Sequence, residues 1–94
     1  MPRGANLEPN FPNPFNPRTT IRWTQGTSGH VRLTILDAAG RAVTTLVNEE
    51  RAAGVHRLVW DGRDARGREV GSGVYFVRLE ALEELRSRKI TLVK

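Results

Sequence analysis

From Thr19 onward, Gly, Asp, Asn and Ser cut the chain into short β-branched and aromatic runs spaced roughly ten residues apart. The runs cover residues 19–24, 30–37, 41–47, 55–60, 74–80 and 88–93. No apolar period of helical length competes with them, so the chain reads as all-β, an antiparallel sandwich or barrel. Alternation places Ile21 and Trp23 on one face with Arg22 on the other, and buries Val31, Leu33 and Ile35 while Arg32 and Thr34 face outward. Leu58 and Trp60 share a face with His56, opposite Arg57 and Val59, and Ile90 and Leu92 point inward. Val43 with Leu46 breaks strict alternation, which predicts a bulge or a passage to the other sheet. Runs 30–37 and 41–47 read as a hairpin whose turn places Gly40 where positive φ is needed. Adjacent Tyr75 and Phe76 face opposite ways, so one of them lies outside or is covered by the N-terminal arm.

That arm is the segment ahead of the first run. Four of the five prolines fall between Pro9 and Pro17, interleaved with Asn10, Asn13 and Asn16, which excludes helix and central strand. Phe11 and Phe15 would have no role in a bare linker, and one or both rings are expected at the edge of the core. Residues 1–9 are read as linker and chain start, and residues 10–94 as one domain. Residues 48–54 are read as a polar crossing. Residues 81–87 fit either one helical turn or the arms of a hairpin.

A chain of 94 residues closes around a single core, and with no cysteine neither a disulfide nor a thiolate zinc site supports it. Of 15 basic residues 13 are Arg, against 10 acids, for a net charge of +5. The outward arginines are spread over several runs, and Arg63, Arg66 and Arg68 alternate with Asp61, Asp64 and Glu69, so no stripe suited to a phosphate backbone emerges. Nucleic acid is therefore not an expected partner. No segment approaches the roughly 18 apolar residues of a membrane span, and the first residues lack the apolar run of a signal peptide. Any export signal is expected upstream, in a longer precursor.

Catalytic chemistry fails on inventory. A nucleophilic pair would need Ser28, Ser72 or Ser87 beside His30 or His56, and turn serines with strand-edge histidines are the simpler reading. For a metal the candidates are Asp61 and Asp64, but their spacing and the interleaved arginines favour Asx-turns, with Gly62 and Gly67 supplying positive φ. No catalytic residue, no cofactor and no metal is expected.

The motifs, taken together, resemble one family: Asn10-Phe11-Pro12-Asn13-Pro14-Phe15-Asn16-Pro17, Thr20-Ile21-Arg22, Asp37-Ala38-Ala39-Gly40-Arg41, Gly54-Val55-His56, Trp60-Asp61-Gly62-Arg63-Asp64, Ser72-Gly73-Val74-Tyr75-Phe76 and the Lys89-to-Lys94 end. The chain looks like the C-terminal sorting domain of proteins exported by the type IX secretion system, in the branch related to the immunoglobulin-like domain of the flagellar hook-capping protein. The resemblance implies an immunoglobulin-like β-sandwich of about seven strands, not an enzyme, ending a larger secreted or cell-surface protein. Its implied partners are an upstream cargo domain, the type IX outer-membrane machinery and a sortase-like peptidase, without membrane insertion. The implied scaffold positions are Phe11, Pro14, Phe15, Trp60, Asp61, Gly62, Gly73 and Tyr75, and the implied export strand carries Arg86, Arg88, Lys89 and Lys94. The alternative is a structural or adhesive module that binds a protein or glycan. Leu82 and Leu85 depart from the family's pattern and form either a contact peculiar to this chain or an exposed patch.

Overall fold

The computed structural model describes residues 4–94. They form seven strands: β1 Ala5–Leu7, β2 Thr19–Gln25, β3 Gly29–Asp37, β4 Ala42–Arg51, β5 Gly54–Trp60, β6 Gly73–Ala81 and β7 Glu84–Leu92. All pair antiparallel, in a three-stranded sheet of order β1-β2-β5 and a four-stranded sheet of order β4-β3-β6-β7. The chain is a β-sandwich.

The core follows from the alternation. Ile21 and Trp23 of β2 face Val31, Leu33 and Ile35 of β3, Val77 and Leu79 of β6, and Ile90 and Leu92 of β7, and all are buried. At one end of the sandwich three rings meet: Trp60 lies 5.7 Å from Phe15 and 5.6 Å from Tyr75, the latter edge-on. Tilted and edge-on pairs of this kind are worth about 0.5–1.5 kcal/mol beyond the area they bury. Of the two adjacent rings, Tyr75 is the buried one and Phe76 is only partly covered.

Several expectations need correction. Residues 1–3 of the expected linker lie outside the described residues, but Ala5–Leu7 is a strand, with Ala5 and Leu7 buried and Leu7 paired to Trp23. Three residues are enough because β2 already supplies a template edge. The Pro/Asn segment contributes two single-residue bridges and no strand, Phe11 to Thr20 and Phe15 to Leu92. The polar crossing at 48–54 also shrinks: β4 continues through Arg51, pairing Asn48, Glu49 and Glu50 with Arg32, Val31 and His30. The break at Val43 and Leu46 is a pair of bulges rather than a passage between sheets, since each residue is the unpaired one at a register shift against β3.

Residues 81–87 resolve to a hairpin. β6 and β7 pair through Ala81 and Glu84, leaving a two-residue turn whose members, Leu82 and Glu83, both have positive φ, 54° and 63°. Such a turn matches the twist of the strands and normally takes Asn and Gly. Leu82 accepts the geometry while packing against the core.

Candidate functional site

The loop of residues 61–72 contains two of the candidate scaffold positions, Asp61 and Gly62, and is flanked by three more, Trp60, Gly73 and Tyr75; its conformation is set by short-range hydrogen bonds. Trp60 Nε1 donates to Arg63 O at 2.9 Å, and Tyr75 Oη donates to Gly71 O at 2.7 Å, so the two buried rings anchor the two ends of the loop. Gly62, at φ +78°, lies where a Cβ would meet Pro17 O at 3.1 Å, so the N-terminal segment is pressed against the loop's first turn. Within the loop, Asp64 Oδ1 accepts from the amides of Arg66 and Arg68, and Gly67 N donates to Asp64 O. The amide of Arg68, then that of Arg66, holds the Asp64 carboxyl below its ordinary value.

The same device occurs at the β3–β4 turn. Asp37 Oδ1 accepts from the amides of Ala39 and Arg41, Gly40 N donates to Asp37 O, and the carboxyl is again held low, chiefly by the Arg41 amide. The string Asp-Ala-x-Gly-Arg stands at both places, residues 37–41 and 64–68, and this repetition was the signal by which the two turns are recognisable as one structure. In each, an Asx-turn fills the front and a positive-φ Gly closes the back. Asp61 likewise accepts from Arg63 N, with the Arg63 guanidinium 3.8 Å from its other oxygen. The metal candidates Asp61 and Asp64 thus each turn Oδ1 to amides of the loop itself, and no group of three acidic or histidine side chains converges among the described residues. Burial, with a smaller contribution from the Asp37 carboxylate, raises the Tyr75 phenol above its ordinary value.

The two histidines are engaged elsewhere. His30 Nε2 bonds Asn48 Oδ1 at 2.6 Å, and His56 stacks on Trp23 at 5.2 Å with Nε2 on Ala52 O. His30 lines an open groove of about 490 Å³ beside the Leu82–Glu83 turn, where Arg32 grips Glu80 through both carboxylate oxygens.

The four cations assigned to export recognition do not form one surface. Arg86 lies 3.2 Å from Glu84, and Arg88 Nε donates to Leu7 O at 2.9 Å, tying β7 to β1. Lys94, past the end of β7, bonds Ser72 Oγ through its amide and Glu69 through Nζ at 3.3 Å. Lys89 stands on the opposite face of β7 from Arg86, Arg88, Ile90 and Leu92, opposite Phe76, exposed and with no carboxylate within 4.0 Å among the described residues. A contact absent from the sequence reading joins the same region: Glu84 Oε1 accepts from the amide of Ala5 at 2.7 Å.

The N-terminal segment completes this edge. Phe11 and Thr20 exchange both backbone bonds, after which the chain crosses to β7, where Phe15 N donates to Thr91 O and Val93 N to Phe15 O. Asn13 Oδ1 accepts from Thr91 N, and Phe15 is buried at 2% exposure while Phe11 is 77% exposed.

Residues 15–84 match the model of the FlgD Ig-like domain. The chain belongs to that family. It is 43% identical over 51 residues to the basal-body rod modification protein FlgD of Salmonella typhimurium, a stretch covering 54% of this chain and 22% of that protein. The fold is similar to part of dimeric latent PorU from Porphyromonas gingivalis, with a TM-score of 0.77 at 22% identity over 95% of this chain and 9% of that one. It is also similar to part of PorZ, a surface component of the type IX secretion system of the same organism, with a TM-score of 0.63 at 22% identity over 95% of this chain and 12% of that one. The sandwich fold of this domain is thus similar to parts of PorU and of PorZ.

Proposed function

We propose that this FlgD Ig-like domain is a non-catalytic module ending a larger secreted or surface protein, and that it acts as a sorting or attachment signal for the type IX outer-membrane machinery. The observation that carries the reading is modular: nearly the whole chain superposes on about a tenth of PorU and of PorZ, and PorZ is itself a surface component of that system. The chemistry agrees, because the polar side chains of the 61–72 loop bond their own backbone and the histidines bond Asn48 and Ala52. Any reaction then belongs to the cargo.

The test is export of a reporter fused ahead of residues 8–94 in a type IX-competent host. Appearance of the reporter at the cell surface or in the medium is the expected result, and retention in the periplasm refutes it. Within that assay Lys89→Glu and Arg88→Ala separate recognition from folding. Among the described residues Lys89 makes no ion pair, so its replacement leaves stability unchanged and lowers export, whereas Arg88→Ala breaks the bond to Leu7 O and lowers both. A second reading, a structural or adhesive module, is favoured by the identity to Salmonella FlgD. Stoichiometric capture of a protein or glycan by the module, with export indifferent to β7, would select it.

A further inference from the structure

Among the described residues the sandwich has one flat, uncovered strand edge, and its side chains state what it will accept. Glu8 N donates to Arg22 O, and Phe11 and Thr20 exchange both backbone bonds, so the even-numbered residues of β2 turn their backbone groups toward β1. The odd-numbered residues of β2 therefore bond β5. Across the register Ile21 to Leu58 and Trp23 to His56, this commits the even-numbered residues of β5 to β2. The N–H and C=O groups of Val55, Arg57 and Val59 are left pointing away from the sheet, and none has a hydrogen-bond partner outside the ladder among the described residues. Their side chains lie on the outer face, with Val55 and Val59 51% and 55% exposed.

The other edges are blunted. β4 carries two bulges and receives Ala65 N on Val43 O; β7 receives Asn13 and Phe15 at its end; β1 is three residues long and tied to β7. β5 pairs with β2 over seven residues without a register shift.

The charge on the outer face is unbalanced. Arg57 sits directly opposite Arg22 across the strands, and Glu8, 3.5 Å from Arg22, is the one carboxylate within 4.0 Å of either among the described residues. Directly opposed like charges destabilise a sheet. A carboxylate arriving beside Arg57 relieves the repulsion, and apolar residues two places to either side of it would cover Val55 and Val59. A second copy of this chain is the wrong occupant, because pairing β5 with itself adds two more cations to a face that already holds two.

We propose that the β5 edge is a strand-addition site for an extended segment of a partner protein in which a Glu or Asp is flanked at two-residue spacing by β-branched apolar residues. The segment adds main-chain bonds to Val55, Arg57 and Val59 and places its carboxylate against Arg57. This holds independently of whether the domain is an export signal.

The experiment uses the 94-residue chain labelled for amide NMR and the capped peptide Thr-Val-Thr-Glu-Thr-Val-Thr, with a second peptide carrying Lys in place of Glu. Expected are shifts and slowed exchange at the amides of 55, 57 and 59, binding about ten-fold weaker for the Lys peptide, and reversal of that preference in Arg57→Glu. Val59→Pro removes an outward N–H without touching the β2 ladder, and abolishes binding at unchanged melting temperature. Equal binding of the two peptides, shifts confined to other strands, no binding at millimolar peptide, or concentration-dependent self-association of the free chain through these amides overturns the proposal. The peptide charge swap needs no variant, so a misfolded mutant does not blunt the test.

Discussion

Phe11 and Phe15 offer a controlled comparison, being the same residue type four positions apart in the same Pro/Asn segment, one 77% exposed and the other 2%. Replacing Phe15 by Ala removes a ring packed 5.7 Å from Trp60 and leaves a cavity where the segment meets the core. Buried Phe→Ala changes cost about 3–5 kcal/mol. A domain of this size has about 5–14 kcal/mol in total at about 0.05–0.15 kcal/mol per residue, so the variant loses about a fifth of its stability or more. Phe11→Ala removes a ring in solvent and is expected to cost no more than about 0.5 kcal/mol. Urea unfolding followed by tryptophan emission measures both, and Trp60 beside the cavity should also change its emission in the native state. The slope of stability against urea should be shared by all three proteins, since the Phe15 backbone bonds to Thr91 and Val93 do not need the ring. Losses of similar size for Phe11 and Phe15, or a Phe15→Ala loss below about 1 kcal/mol, would refute the claim that the segment is part of the core.

Four further outcomes test the turns and the loop. Glu83→Gly relieves a positive φ of 63° in a non-glycine residue and should stabilise the β6–β7 hairpin by about 0.5–1 kcal/mol after the entropy of the added glycine, read as a raised urea midpoint. The Asp37 and Asp64 carboxyls titrate lower in the folded chain than the ordinary 3.8, so their contribution is complete above that value and is lost as pH falls through the depressed folded values. The double variant Asp37→Asn, Asp64→Asn should accordingly flatten the fall in urea midpoint below about pH 4, and an unchanged acid slope would contradict the Asx-turn account. Tyr75 is the one tyrosine of the chain, and its phenol is raised in the fold, so phenolate absorbance should rise only above the ordinary 10.0. Stability associated with the neutral ring is then present below that value and lost as pH climbs through the folded one. Tyr75→Phe forfeits the bond to Gly71 O and should cost about 0.5–1.5 kcal/mol in urea unfolding.

Alternation made the inward faces of β2, β3, β5 and the end of β7 readable, because a strand with one wet side must repeat every second residue. It was silent where that condition fails. Asn48, Glu49 and Glu50 extend β4 with all three side chains exposed, so the strand has no apolar signature. β1 is three residues long, too short for a period to show. At Leu82 and Glu83 the turn lacks the Asn and Gly that announce it, and a run of Ala, Leu and Glu reads equally well as helix. The site is less legible still. Arg86 and Arg88 stand on a basic stretch of sequence, yet one is paired to Glu84 and the other binds the carbonyl of Leu7, which depends on β1 lying beside β7.

A sandwich of two open sheets has four strand edges, and a chain without cysteine must protect them by noncovalent means. On the β1–β7 side Glu84 and Arg88 bind the backbone of Ala5 and Leu7, and the Pro/Asn segment bonds first to β2 and then to β7. That segment suits the task because proline has no donor to leave unpaired and Asn13 supplies an acceptor for the exposed Thr91 amide. On the other side, bulges and the 61–72 loop protect β4. Among the described residues only the β5 edge keeps an unbroken register with neither cover nor bulge, and its one charged outward side chain, Arg57, faces a like charge. Blocking the edge with a glutamate at Arg57 would have satisfied Arg22 and protected the strand at once. Arginine there does neither, so the edge is more economically explained as waiting for a carboxylate from outside than as one more solvated surface.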